Sequence, residues 1–204
     1  MARVNRERRK NPLVLIGCEG RRNAEKIYFS NFSSRNCRIV FSPGNSTDPL
    51  GILEDTKRYM EKNEISADYG DRIFLVIDTD LNEGQINSIK SIRDECDKLG
   101  ITIITSSPTF EIWYLMHFRD NQLRFNSSGD VKNAIKGIIS NYKESMNLYP
   151  LISEKTATAI KRAKKIESQR IKDGEYDEYS CNPYSSIYIV LEEIENLQNQ
   201  NNLR

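Results

Sequence analysis

The chain has 204 residues and a mass of 23.6 kDa; 38% of its residues are hydrophobic and 29% are charged, which is enough for one compact core with an appendage. Its 30 Lys and Arg residues against 29 Asp and Glu residues give a formal net charge of +1, so composition alone excludes an overall electrostatic preference for nucleic acid and an acidic disordered chain. The single histidine, His117, excludes a multi-histidine metal site, and acid–base or metal chemistry must fall mainly to carboxylates.

The cysteines and the apolar runs bear on the cellular compartment. Four cysteines are scattered without a CxxC pair, a distribution typical of reduced thiols rather than of a zinc knuckle or a redox pair. The longest apolar runs fall far short of the ~20 residues that a membrane span requires. No signal-length apolar segment follows the charged N-terminus. We therefore expect a cytoplasmic protein that does not cross a membrane.

Short apolar strands alternate with amphipathic helices in the first part of the chain. The apolar run PLVLIGCEG is typical of a strand that is buried on both faces, and Gly100 ends the helix that follows the IDTD motif. The predicted strands are residues 13–18, 37–41, 71–77 and 101–105, and the predicted helices are residues 23–32, 50–62, 82–99 and 109–118. This alternation indicates an α/β fold with a mostly parallel sheet flanked by helices.

The pattern changes after residue 120. Helices are predicted near residues 129–141, 154–172 and 184–198, with a weak alternative strand at residues 187–190. We expect a basic N-terminal arm, an α/β core, a helical C-terminal region and a polar tail, at residues 1–10, 11–120, 121–198 and 199–204 respectively.

Carboxylates follow three of the predicted strands. Glu19 comes after the first strand, Asp78 and Asp80 after the third, and Glu111 after the fourth. Ligands of a parallel sheet bind outside the carboxyl ends of its strands, so we expect these side chains at one edge. Alternating aspartates on an extended segment point the same way and suit a hard cation such as Mg²⁺. The residues alone leave open that Asp80 caps the next helix and that Glu19 is an ordinary loop carboxylate.

Glu111 and His117 lie in the helix FEIWYLMHF, which is apolar on every side. A carboxylate there is costly unless it is paired or bound to a ligand, which makes Glu111 a candidate catalytic residue. His117 is better interpreted as a hydrogen-bonded core histidine than as a base. Glu25 and Glu83 are further candidates of lower rank.

Positive charge is concentrated in a segment of the C-terminal region. Residues 155–172 carry seven basic residues and one acidic residue, a net charge of +6, which suits contact with a phosphate backbone but also fits a solvated helix face. Arg21 and Arg22 stand beside Glu19 and are candidates for direct phosphate contact. The candidate nucleic-acid-binding residues are Arg21, Arg22, Lys155, Lys161, Arg162, Lys164 and Lys165.

The motifs CEG, IDTD, SSPTFEIWYLMHF and the closing NPYSSIYIVLEEI resemble those of the RloB-like family, relatives of the second component of AbiL abortive-infection systems. That family is similar to Toprim domains. The resemblance implies a Toprim-like (Rossmann-like) core in which Asp78 and Asp80 bind Mg²⁺, with Mn²⁺ as an alternative, and Glu19 is a further metal ligand or a general acid–base group. It also implies a nuclease that cleaves RNA, including tRNA, or DNA, as the effector of an antiviral defence system with an ATPase partner.

Two other functions fit the same residues. The first is a Toprim-like module that binds nucleic acid or an ATPase without cutting, and the second is another Mg²⁺-dependent DxD enzyme, a transferase or a phosphatase. The sequence has no GxxxxGK[ST] motif, so the chain is not itself expected to be a P-loop ATPase. Formation of a homo-oligomer stays open.

Overall fold

The computed structural model describes residues 12–20, 24–120, 124–172, 174, 179 and 181–202. The strands are β1 (Leu13–Cys18), β2 (Arg38–Phe41), β3 (Arg72–Asp78), β4 (Ile101–Ser107) and β5 (Tyr184–Ser185). The α-helices are α1 (Ala24–Ser30), α2 (Pro49–Asn63), α3 (Glu83–Leu99), α4 (Glu111–Phe118), α5 (Ser128–Lys136), α6 (Tyr149–Ile152), α7 (Thr156–Lys172) and α8 (Ile187–Asn202), and single 3-10 turns occupy Ala67–Tyr69 and Ser153–Lys155.

The five strands of the described ranges form one sheet in the order β2-β1-β3-β4-β5. β1 to β4 are parallel, with Leu15 beside Ile73 and Asp78 beside Ser106 in the register, and β5 pairs antiparallel with β4. The α/β class and the mostly parallel sheet predicted from the sequence are confirmed. From β1 the chain proceeds to β2 on one side and later to β3 on the other, so the topological switch point, where such sheets bind ligands, lies between β1 and β3.

Helices cover both faces of the sheet because alternate strand residues point to opposite sides. Leu13 and Leu15 of β1 pack in a cluster with buried residues of α2 and α3. Val14 and Ile16 pack on the other face, in a larger cluster to which α1, α4, α5, α7 and α8 contribute. The C-terminal helices thus share one core with β1 and β3. None of the helices in the described part of the chain is long and apolar enough to cross a membrane.

The structure departs from the prediction mainly after residue 120. The weak strand at residues 187–190 is wrong, because α8 begins at Ile187. The run IYIV is short and wholly apolar, and such a run fits a buried helix as well as a strand. The two-residue strand β5 was not predicted, α5 ends at Lys136, and α8 continues to Asn202. The basic arm, residues 1–10, lies outside the described residues.

Gly17 lets α2 pack directly against β1. A Cβ at this position would collide with Thr56 Oγ1 and with the Leu75 side chain. We therefore expect Gly17→Ala to lower the free energy of unfolding by about 1–3 kcal/mol, measured by urea denaturation. The matched control is Gly129→Ala in α5, whose new Cβ would find Ser127 Oγ no closer than 3.5 Å and which should leave stability unchanged or raise it by up to about 1 kcal/mol. Equal effects of the two substitutions would contradict this packing role.

Candidate functional site

A cleft of about 320 Å³ opens at the carboxyl ends of β1, β3 and β4. It therefore lies at the switch point of the sheet. The lining includes the four carboxylates that the sequence pointed to and residues of α1, α5 and the segment after α5. The lining residues are Glu19, Gly20, Ala24, Glu25, Asp78, Asp80, Thr109, Phe110, Glu111, Ser128, Lys132 and Glu144.

The backbone after β3 fixes the direction of Asp80. The Asp80 N–H donates to the Pro108 carbonyl at 2.9 Å, and Asp80 and Leu81 have φ values of 50° and 55°. Left-handed conformations are unfavourable for such residues and persist only where the surroundings enforce them. The Ser128 hydroxyl donates to Asp80 Oδ1 at 2.9 Å. Asn82, rather than Asp80, caps α3 by accepting from the Gln85 N–H, so the interpretation of Asp80 as the helix cap is wrong.

Asp78 and Glu111 share one hydroxyl group. Thr109 Oγ1 lies 2.9 Å from Asp78 Oδ2 and 2.6 Å from Glu111 Oε2, and the Tyr142 hydroxyl donates to Glu111 Oε1 at 3.0 Å. A hydroxyl carries one hydrogen and can donate to only one of the two carboxylates. The other contact is favourable only if that carboxyl group is itself protonated or if a cation offsets its charge.

Burial and mutual repulsion raise the pKa values of the inner carboxyl groups. Burial, together with the charges of Glu111 and Glu19, raises the pKa of Glu25 to about 8. Burial, with the charges of Glu25 and Glu111, raises the pKa of Asp78 well above its usual value, although the Phe110 N–H and the Thr109 hydroxyl oppose this shift. Asp78 Oδ1 is buried and accepts no hydrogen bond from any described residue. The inner part of the cleft therefore favours protons or a cation.

Glu19 stands at the exposed side of the cleft. Partial burial and the charge of Asp80 raise the pKa of its carboxyl group, and Lys132 lowers it. Its position at the end of β1 beside Asp78 and Asp80 agrees with the arrangement expected from the sequence.

The donor chemistry of the cleft suits a hard cation. Carboxylate oxygens are the ligands that Mg²⁺ prefers, and a cation would satisfy the buried Asp78 Oδ1. Within the described residues, however, no three His, Cys, Asp or Glu side chains already form a group that could hold a metal ion. The assignment of Glu19, Asp78 and Asp80 as metal ligands stays a prediction, and it requires side-chain adjustment on binding.

The candidate nucleic-acid-binding residues of the C-terminal region lie on or just before α7, and two of them contact the far end of α4. Lys155 lies over the Phe118 ring, and Arg162 donates to the Met116 carbonyl at 2.8 Å. Phe118 and Glu111 are at opposite ends of α4, about 10 Å apart along its axis. Lys155 and Arg162 therefore lie at the end of α4 that is remote from Glu111 and the other carboxylates of the cleft.

Several of those basic side chains already have partners. Lys164 pairs with Glu192 and Lys165 pairs with Asp120, whereas Lys161 is exposed. Arg21 and Arg22 lie outside the described residues.

His117 is a core residue, as the sequence indicated. Its side chain is buried, and its Nδ1 lies 2.9 Å from the Trp113 carbonyl oxygen. Burial lowers the pKa of the imidazole to about 4. Glu83 lies exposed at the first turn of α3 and does not line the cleft.

Sequence reasoning missed four polar residues of the cleft wall: Thr109, Ser128, Lys132 and Glu144. Lys132 Nζ lies 2.6 Å from Glu144 Oε1 and 4.0 Å from Glu111 Oε1. The last three of these residues belong to α5 or the segment after it, and no strand-end rule places that part of the chain at the cleft. The sequence analysis singled out none of these residues as part of the site.

A family model described as RloB-like protein matches residues 14–194. No curated protein and no solved structure matches the chain. The matched region includes α5 and the carboxyl ends of β1, β3 and β4. It therefore contains each of the described residues that line the cleft. The chain belongs to the RloB-like protein family.

Proposed function

We propose that the protein is a Mg²⁺-dependent Toprim-type nuclease that cleaves phosphodiester bonds of RNA or DNA. The observation that carries this proposal is the cleft at the β1/β3 switch point, where Glu19, Asp78 and Asp80 meet. Carboxylates crowded into one cleft repel one another, and this repulsion is relieved when a divalent cation binds.

Asp78, Asp80 and Glu19 would hold the cation. A bound Mg²⁺ supplies charge neutralisation at a phosphate group and activation of water. Glu19 is exposed and its carboxyl pKa is raised, which suits a group that accepts or donates a proton at the substrate. Thr109 and Tyr142 hold Glu111 in place behind Asp78, so Glu111 acts by positioning Asp78 through the shared hydroxyl.

Family membership and the resemblance to abortive-infection components support a proposal for the biological setting. We propose a cytoplasmic effector of an antiviral defence system, restrained or triggered by an ATPase partner. Its four cysteines are buried thiols rather than disulfides, which fits a reducing compartment.

The decisive experiment compares the wild type with Asp78→Asn/Asp80→Asn. Labelled tRNA, single-stranded RNA and DNA duplexes are incubated with each protein in Mg²⁺, in Mn²⁺ and in EDTA, with and without the ATPase. We expect cleavage that requires the divalent cation and a loss of at least about 100-fold in the double variant. The control Asp94→Asn/Asp97→Asn removes two carboxylates from the exposed side of α3 and should cleave like the wild type. Equal cleavage by all three proteins, or none by the wild type with its partner, would contradict the proposal.

One observation favours a second candidate function, a non-catalytic module that binds nucleic acid or the ATPase. No group of three metal-ligating side chains is preformed among the residues that the structure describes. This alternative predicts binding that does not depend on Mg²⁺ and is retained by Asp78→Asn/Asp80→Asn.

A further inference from the structure

Lys132 is placed in the cleft by a well-anchored helix. Its neighbours Val131 and Ile135 on α5 are fully buried in the larger core cluster, so the position of the lysine stem is fixed by packing. The Ser128 hydroxyl, one turn earlier on α5, donates to Asp80. The helix therefore presents its first turns to the same cleft that holds the carboxylates.

The described residues that line the cleft carry several negative charges and the positive charge of Lys132. Within the described part of the chain, six carboxyl groups line it, those of Glu19, Glu25, Asp78, Asp80, Glu111 and Glu144. Among the described lining residues, Lys132 alone carries positive charge. An anionic substrate that entered would meet net repulsion from these side chains, and Lys132 is the group in the described cleft that can attract it directly.

The ammonium group of Lys132 is held in the free protein by a partner that is easily exchanged. Glu144 Oε1 is 2.6 Å from Lys132 Nζ, and the Glu144 side chain is 60% exposed. An exposed ion pair of this kind contributes little to stability, so the lysine can leave Glu144 at small cost. On its other side, Lys132 Nζ lies 4.0 Å from Glu111 Oε1. This inner carboxylate attracts Nζ toward the cleft rather than toward bulk solvent.

We propose that Lys132 binds a non-bridging oxygen of the substrate phosphodiester and that Glu144 occupies Lys132 until the substrate displaces it. This inference rests on the proposed function and names a residue for the same site. An ammonium group is a compact point charge suited to a phosphate oxygen. The helical C-terminal region thereby supplies a substrate-binding residue to a site whose predicted metal ligands, Glu19, Asp78 and Asp80, belong to the α/β core.

The test uses Lys132→Met and the matched control Lys136→Met. Lys136 lies one turn further along α5, is exposed and does not line the cleft, so each variant loses one charge from the same helix. Affinity for fluorescein-labelled RNA and DNA oligonucleotides is measured by anisotropy, with Ca²⁺ in place of Mg²⁺, over a range of salt concentrations. We expect Lys132→Met to weaken binding about tenfold. The slope of the logarithm of the binding constant against the logarithm of the salt concentration should become shallower by about one. Lys136→Met should change neither.

Two further variants separate substrate contact from a structural role of the ion pair. Lys132→Arg should bind nucleic acid with an affinity within about threefold of the wild type, since it keeps the positive charge. Glu144→Gln should bind as tightly as the wild type or more tightly, because it removes the competing carboxylate. If Glu144→Gln weakened binding as much as Lys132→Met, the lysine would act only through its ion pair, and the inference would be wrong.

The outcome also separates this inference from the proposed function. If the wild type cleaves nucleic acid but Lys132→Met and Lys136→Met bind alike, the role of Lys132 is refuted and the nuclease assignment stands. If the wild type, with its partner present, neither binds nor cleaves any of the nucleic acids, the proposed function fails and the role of Lys132 fails with it. Melting temperatures of all variants identify any loss of affinity that arises from unfolding.

Discussion

Asp78→Asn is expected to abolish cleavage and, at the same time, to raise the stability of the metal-free protein. Asp78 Oδ1 is buried and receives no hydrogen bond from the described residues, while the charges of Glu25 and Glu111 oppose its ionisation. An amide of the same shape removes that repulsion, still accepts from the Thr109 hydroxyl and offers hydrogens to the neighbouring carboxylates. A gain in stability on loss of a carboxylate charge is typical of a functional site whose charges repel one another.

The expected sizes are at least about a 100-fold loss of cleavage and a gain of about 1–3 kcal/mol in the free energy of unfolding in EDTA. For a chain of this length, each kcal/mol corresponds to roughly 2–4 °C in Tm. Cleavage assays and thermal unfolding of the same preparations measure both. Nuclease activity close to wild type would remove Asp78 from the mechanism, and a lower Tm in EDTA would show that its carboxylate stabilises the fold.

Asp80→Asn is the contrasting variant. Asp80 is exposed and accepts from Ser128. Solvent screens its repulsion of the exposed Glu19, so its loss relieves little repulsion. We expect a similar loss of cleavage but no rise in Tm. The pair of variants thus distinguishes a half-buried, electrostatically strained aspartate from an exposed one with the same assigned function.

The site residues at the strand ends could be predicted from the sequence, because the carboxyl ends of parallel strands meet at one edge of the sheet. Apolar strands that alternate with helices produce parallel β1 and β3, and parallel strands bring Glu19, Asp78 and Asp80 to one edge. Glu111 was accessible for a different reason, since a carboxylate in a wholly apolar helix needs a partner, and the structure provides Thr109 and Tyr142.

The remaining residues of the cleft depend on how distant segments pack. Lys132 and Glu144 reach the carboxylates because Val131 and Ile135 bury one side of α5 against the core. A periodic pattern identifies the buried side of such a helix but not the element that it faces. The strand β5 was missed for a related reason: two residues are too few to show alternation, and its pairing depends on Ser106 and Ser185 meeting across a large sequence separation.

Glu25 gives the stability of the metal-free protein an unusual dependence on pH. The pKa of its carboxyl group rises from an ordinary value of 4.5 to about 8 in the folded state. Between pH 4.5 and pH 8 the folded protein therefore binds more protons than the unfolded chain. Stability present at low pH is therefore lost as the pH rises toward about 8. His117 acts in the opposite direction, but with a folded pKa of about 4 against an ordinary value of 6.5, its contribution ends near pH 6.5. Between pH 6.5 and pH 8, the change in the free energy of unfolding therefore reflects the titration of the inner carboxyl groups.

We expect the titration of Glu25 to lower the free energy of unfolding in EDTA by up to about 2 kcal/mol across this window, since each pH unit corresponds to about 1.4 kcal/mol for one proton. Urea denaturation at intervals of half a pH unit measures the slope. Glu25→Gln should flatten it, whereas Glu83→Gln, which removes an exposed carboxylate outside the cleft, should not. Because protons and a divalent cation compete for the same carboxylates, Mg²⁺ should stabilise the wild type more at pH 8 than at pH 6.5. A wild-type slope that Glu25→Gln leaves unchanged would show that Glu25 is ionised in the folded protein and that another inner carboxyl group causes the slope.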